Sequence, residues 1–438
     1  MALLVITGCA TGSRSGDSQT LPLIGDFEVH RFLLPNGLKL VVVEDHSSPT
    51  FAYQTWYDVG SRDEQPGKTG LAHLFEHMMF KETKTLKDGQ FDKILEAAGA
   101  EGENAFTSRD YTAYVQELPV TQLDLIARLE ADRMVNLLVN DKAFKTETEV
   151  VQNERRMRLE NSPDGTLFEA MFDVAFTKHP YHWPVIGYQK DLDAMSAADA
   201  RSFYKTFYSP SHATIAVVGD VKASQVLETV KKHYGALAAS QPSARKLAEE
   251  PEQKSPRRKN IKLNMQVEKL FVSYHIPANG HPDMPAIDVL QSVLSGGKSS
   301  RLNRALVETG IASSVGSFDL DDQDPTLFMV IANLQKGNKA AHAESVLLRE
   351  ITRLVKEPPS AQELERAKNI IDFDFYEALN SNTEKASFLG KHETVSGGFE
   401  NAIAAQKRIR DVTPADVQAV AKKYLDPKNR TVITGVPK

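Results

Sequence analysis

The run His73-Leu74-Phe75-Glu76-His77 puts three reactive side chains within five residues. In a helix, His73 and His77 lie four apart on one face, with Glu76 beside them. Two imidazoles at that spacing grip one Zn²⁺, and a free carboxylate next to it takes a proton from water held by the ion. That is metallohydrolase chemistry. Ala72, Leu74, Phe75, Met78 and Met79 surround the polar trio. A helix apolar over most of its circumference is normally buried, and buried ionisable groups are costly unless paired or bound to a metal. The plainer alternative is a pair of core histidines making ordinary hydrogen bonds. A surface location would favour it, and the apolar neighbours argue against it.

Catalytic zinc takes three protein ligands and leaves a fourth position for water. The segment from Lys142 to Asn161 has no Gly or Pro and is rich in Glu, Arg and Lys, which predicts a helix. On it Glu147, Val151 and Glu154 fall at i, i+4 and i+7 of one face. Alone, such a stripe reads as a solvated surface. Beside a zinc half-site that lacks a ligand, it becomes the best supplier of the third.

Together with Val150-Val151-Gln152-Asn153-Glu154, the inverted motif resembles the pitrilysin family. These are the inverted zincins, which include insulin-degrading enzyme and the mitochondrial processing peptidase. The resemblance extends to Asn104-Ala105-Phe106-Thr107-Ser108 and Ser299-Ser300-Arg301-Leu302, hence to nearly the whole chain. Within the family it is to the two-domain bacterial type, not the longer four-domain chains. It implies a zinc-dependent endopeptidase with one Zn²⁺ per chain, held by His73, His77 and Glu154. Glu76 would be the catalytic base and Glu147 a supporting catalytic carboxylate that does not itself touch the metal.

The family resemblance also makes Asn104, Ala105 and Phe106 substrate-binding residues. They would lie on an edge strand where an extended peptide adds by backbone pairing, a mode largely indifferent to side chains. The stretch Asn104 to Val115, rich in Thr, Tyr and Phe, reads as one strand, and its residues alone leave edge and interior positions equally open. Related peptidases enclose substrate between the halves of a clamshell, which implies peptides or unfolded segments. The run His179-Pro180-Tyr181-His182-Trp183-Pro184 invites another metal reading, but prolines break helical ligand spacing there and structural packing is the better account.

At 438 residues the chain is too long for one ordinary core. The expected class is α+β: two homologous mixed α/β domains joined by a linker, a pitrilysin-like half-clamshell. Asp199 and Asp416, Pro210 and Pro427, and Thr214 and Thr431 are each 217 residues apart, and each copy reads as a capped helix, a proline turn and a β-branched strand. At the same offset from the histidines lies Leu290-Gln291-Ser292-Val293-Leu294, without ligands, so the second half is expected to bind no zinc. Residues 24–237 form the expected zinc domain, 238–260 the linker and 261–438 the inactive domain. A Pro35-Asn36-Gly37 turn joins two strands near the start, and Phe51 to Tyr57 is a third.

Composition is that of a soluble globular protein, 41% hydrophobic and 25% charged. A net charge of −6 gives no reason to expect nucleic acid. Cys9 is the sole cysteine, and Ile6-Thr7-Gly8-Cys9 resembles a bacterial lipoprotein box. No Lys or Arg precedes the short apolar run, so residues 1–23 read as a trimmed signal and tether. Lipidation at Cys9 would anchor the body in the periplasm, and Ala10 after it points to the outer membrane.

One departure bears on assembly. Family members usually carry, in the second domain, an arginine and a tyrosine seven residues apart that hold the substrate backbone. Here the stretch runs from Leu306 to Val315 with neither, and seven beyond Arg304 is Ile311. A homologous zinc-less partner bearing that pair would complete a heterodimer; a homodimer is the other assembly considered. The rival from a different class is a non-catalytic, peptide-binding scaffold lipoprotein of the same fold. Such a protein needs neither three ligands nor a base.

Overall fold

The computed structural model describes residues 18–240, 245 and 247–438, so Cys9 lies outside the described residues. The first sheet holds β1 (Ser18–Pro22), β2 (Glu28–Leu33), β3 (Lys39–Glu44), β4 (Thr50–Tyr57), β5 (Glu101–Thr107), β6 (Thr112–Pro119) and β7 (Ala213–Gly219). The second holds β8 (Arg257–Leu263), β9 (Lys269–Ile276), β10 (Ala312–Phe318), β11 (Thr326–Leu334) and β12 (Arg430–Pro437). Their orders are β1-β2-β3-β7-β4-β6-β5 and β10-β11-β9-β12-β8. β7 lies parallel to β3 and antiparallel to β4, as β12 does to β8 and β9. The two sheets therefore repeat one arrangement, with β1 and β2 added to the first.

Local signals build the repeat. Ser196 caps the Ala197–Phe207 helix and Thr413 the Pro414–Tyr424 helix, each in a capping box with the Asp three residues on. Between β2 and β3, Gly37 takes φ +87° and Asn36 accepts the Leu38 N–H, which closes the turn. The Leu71–Met78 helix follows β4, and its counterpart Met284–Ser295 follows β9 without histidines.

The halves also exchange helices. Along β3, Leu40 and Val42 enter the first core, while Val41 and Val43 face the Asn382–Val395 helix of the second half. Reciprocally, the Pro163–Ala175 helix of the first half sets Leu167, Met171 and Phe172 against Phe271, Met329 and Ile433 of the second sheet. Covering both faces is why β4 and β7 are almost continuously buried instead of alternating. Gly390 lets the Asn382–Val395 helix approach closely, since a Cβ there would lie 2.1 Å from Trp56 Nε1.

Several expected boundaries shift. Asn104–Val115 is not one strand: Ser108 Oγ accepts the N–H groups of Asp110 and Tyr111, folding the chain into a β5–β6 hairpin. Residues 18–22 of the expected tether pair with β2 as β1. The expected linker 238–260 is docked in its later part: Glu250 accepts the N–H groups of Thr177, Lys178 and His179, and Arg257 opens β8. Among the described residues no helix is long and apolar enough to cross a membrane.

Candidate active site

Glu64 starts the helix that carries the histidines. Its carboxylate accepts the N–H groups of Gly70 and Ala72, both at 2.8 Å, so two unpaired donors of the first turn are satisfied from six and eight residues away. Gly70 itself takes φ +97°, and a Cβ there would meet the Ile186 carbonyl oxygen at 2.6 Å. The second helix, Asp141–Arg155, is capped by Asn140, whose side chain accepts the Ala143 N–H. Buried Arg155 ties its end to the Gly187 carbonyl and to Glu169. A single wide turn, Arg156–Glu160, follows.

These helices bring together what the sequence keeps apart. Glu154 Oε2 stands 3.2 Å from His77 Nε2 and 3.7 Å from His73 Nε2. Its other oxygen meets the exposed Arg158 Nε at 3.0 Å, one turn on. Glu147, 4% exposed, places Oε2 3.6 Å from His77 Nδ1 and Oε1 2.7 Å from Lys81 Nζ. Glu76 lies beside both histidines, one atom of each within 4.8 Å of the others.

The charge states follow from these neighbours. Burial pulls the His73 imidazole down to about 4, so it is neutral, with both nitrogen lone-pair choices open. For His77 burial acts downward too, but the facing carboxylates of Glu147 and Glu154 prevail and push it up to about 9. Burial raises the Glu76 carboxyl above the usual range against the pull of Thr107 and His77. Contact with His77 holds Glu154 below it.

Do these residues suit a metal? His73 is 7% exposed, its Nδ1 is buried without a hydrogen-bond partner, and its Nε2 faces a carboxylate beyond hydrogen-bond range. A buried neutral imidazole left so is costly unless a cation takes its lone pair. Two imidazoles and one carboxylate are a donor set that zinc accepts, and Glu147 on the far nitrogen of His77 is the usual outer support of such a ligand. The set fits. By proximity alone Glu76 competes with Glu154 for the third position. Glu154 is the better ligand because one of its oxygens faces both Nε2 atoms and its carboxylate stays ionised.

β5 forms the open edge of the first sheet, and Asn104, Ala105 and Phe106 line a cleft of about 920 Å³ together with His73, Glu76, His77 and Glu154. The sequence thus pointed to all eight of these site residues with Glu147, and the structure draws them to one place. It did not point to Glu64, Lys81 or Arg158. Arg158 was visible in principle as a partner four residues after Glu154 on a helix; Glu64 carried no local signal. Tyr181 and His179 of the proline-flanked run are buried in the contact between the halves, as structural packing requires.

Sequence models of two families match: Insulinase (Peptidase family M16) over residues 39–188, and Peptidase M16 inactive domain over residues 194–371. The zinc protease PqqE of Helicobacter pylori is 33% identical over 405 residues, 91% of each chain. A probable mitochondrial-processing peptidase subunit beta of Arabidopsis thaliana is 26% identical, across 90% of this chain and 76% of that one. A solved structure of a protease from Helicobacter pylori superposes with a TM-score of 0.89 at 32% identity, covering 93% of this chain and 99% of that one.

Proposed function

The chain belongs to the insulinase family, peptidase family M16, and from that premise we propose that it is a zinc-dependent endopeptidase cleaving peptides or unfolded segments. The observation that carries this reading is the approach of Glu154 Oε2 to the Nε2 atoms of both His73 and His77. In it His73, His77 and Glu154 hold one Zn²⁺. When bound, the ion would supply Lewis-acid chemistry, polarising a carbonyl and lowering the pKa of water toward neutrality.

The chain's own residues do the rest. An extended substrate adds to the free edge of β5, with its backbone against Asn104, Ala105 and Phe106. Glu76 accepts the proton of the attacking water and returns it to the leaving amine, and burial that raises its pKa makes it a better base for this exchange. Glu147 is a positioning residue: it fixes the His77 ring through Nδ1 and is itself held by Lys81. Phe106, Val150, Met157 and Phe172 give the cleft an apolar lining against which substrate side chains can pack.

The finer assembly belongs to the same proposal. The second half lacks the arginine–tyrosine pair between Leu306 and Val315, which supports a zinc-less homologous partner completing a two-chain enzyme. The Ile6-Thr7-Gly8-Cys9 box supports a periplasmic, lipid-anchored location. A fluorogenic peptide-library assay with and without chelator, on the chain alone and with its partner, tests the whole. Cleavage abolished by chelator and restored by zinc is expected, faster with the partner. Chelator-insensitive cleavage refutes the metal role, and equal rates with and without any partner refute the two-chain assembly.

A further inference from the structure

The β5–β6 turn sends one cation to the wall of the cleft without giving it a partner. Ser108 Oγ closes that turn on the Asp110 and Tyr111 N–H groups. The Ser61 and Arg62 N–H groups donate to the Ser108 and Arg109 carbonyls, which clamps it from outside. The two segments touch so closely that a Cβ on Gly60 would meet the Arg109 carbonyl oxygen at 2.3 Å. Successive side chains then part. Asp110 accepts the Tyr181 hydroxyl at 2.7 Å, while Arg109 lines the cleft.

Arg109 is 7% exposed, and its guanidinium carbon lies 3.8 Å from the centre of the Phe172 ring. The ring covers one face of the guanidinium but accepts no hydrogen bond from the N–H groups in its plane. Nε is buried with no hydrogen-bond partner, and among the described residues the guanidinium enters no hydrogen bond or ion pair. Carboxylates in the neighbourhood are committed elsewhere: Glu169 to Arg155, and Glu154 to His77 and Arg158. Asp322 of the second half accepts the Thr326 hydroxyl and feels the charge of Arg109 from outside ion-pair range. A buried cation whose donors stay idle is costly unless an acceptor reaches it.

Position narrows the acceptor. Arg109 follows the end of β5 at Thr107, so it stands past the edge to which a peptide adds. At ~3.4 Å per residue, that is about two to four peptide residues from Asn104 and Ala105. The group a peptide can offer a planar fork there is a carboxylate, which takes two N–H groups at once.

We infer that Arg109 receives a carboxylate of the peptide substrate, carried by an aspartate or glutamate side chain or by the peptide's free C-terminus, a few residues from the cleaved bond. The inference rests on the peptidase reading above and adds to it a binding site outside the reacting groups.

The test uses the zinc-loaded full chain and unstructured peptides in two arms, with fragments read by mass spectrometry. In one arm glutamate is compared with glutamine at each of those positions on either side of the bond. In the other a free C-terminal carboxylate at the same distances is compared with its amide. In at least one arm the carboxylate peptide is expected to show a kcat/KM higher by roughly tenfold, and that arm identifies the source. This is the lower end for a charge-assisted hydrogen bond, because Asp322 shares the cation. In Arg109→Gln the ratio falls toward one, and Arg109→Lys, which keeps the charge without the fork, restores part of it. If Arg109 served only to stack on Phe172 or to balance Asp322, its loss would slow both peptides alike and keep the ratio. Ratios near one in both arms of the parent chain, or an unchanged ratio in Arg109→Gln, overturn the inference. If no peptide is cleaved, the peptidase reading fails instead. Fluorescence-anisotropy binding of the same peptide pairs then decides the site: equal binding within every pair overturns it, and a carboxylate preference lost in Arg109→Gln upholds it.

Discussion

Glu147→Gln withdraws a negative charge from a buried position without emptying it. The carboxylate serves two cations, His77 at 3.6 Å and Lys81 at 2.7 Å. Full unit charges at the first distance attract by about 5 kcal/mol at an effective dielectric constant of ~20. That is an upper bound, because a ligating imidazole carries only part of a charge and Lys81 already draws on the same group. Losing the outer partner of a metal-bound histidine costs about ten- to hundredfold in metal affinity, or about 1.4–2.7 kcal/mol. The upper end is expected here, since the change also takes from the Lys81 ammonium its 2.7 Å partner beside a cation site and leaves it Asp88 at 3.9 Å. Competition for zinc against a chromophoric chelator near neutral pH measures the effect, with thermal melting of both zinc-loaded proteins as the folding control. Zinc affinity in Glu147→Gln within a factor of about two of the parent would contradict the role given to this carboxylate.

Other perturbations separate chemistry from architecture. Glu76→Gln should keep its zinc by elemental analysis yet lose about 10²- to 10⁴-fold in kcat, whereas His77→Ala and Glu154→Ala should lose the metal itself. Gly390→Ala drives a methyl group into Trp56 at the junction of the Asn382–Val395 helix with the first sheet, and about 1–3 kcal/mol should disappear from the urea-unfolding free energy. Hydrogen bonding to Arg301, against the opposing effect of burial, holds the Glu363 carboxyl down to about 2, below its ordinary 4.5. A depressed acid stabilises the fold above its unfolded pKa and loses that contribution as pH falls from 4.5 toward 2. Arg301→Met should therefore flatten the acid limb of a Tm-against-pH curve in that window; an identical limb would argue against the ion pair.

Much of the fold is local and was legible for that reason. The capping boxes at Ser196 and Thr413, the Gly37 turn and the apolar strands state their structure within a few residues, and their 217-residue spacing exposes the duplication. The hairpin at Ser108 was misread as continuous strand because its turn is closed by a serine hydroxyl among residues of high strand propensity. The exchanged helices were not legible at all. Nothing in Leu167, Met171 and Phe172 says which of two sheets they will cover; an apolar face specifies burial, not the partner.

The same division runs through the site. The identity of the reactive groups was written in the sequence, because the His73–His77 spacing has meaning on any helix and Glu147 and Glu154 share a face on theirs. Which carboxylate turns to both imidazoles and which to the far nitrogen of His77 was decided by the crossing of two helices 70 residues apart and by Lys81 as an anchor. So too was the edge position of β5. Spacing along a helix survives any environment, whereas the direction of a carboxylate depends on everything packed around it.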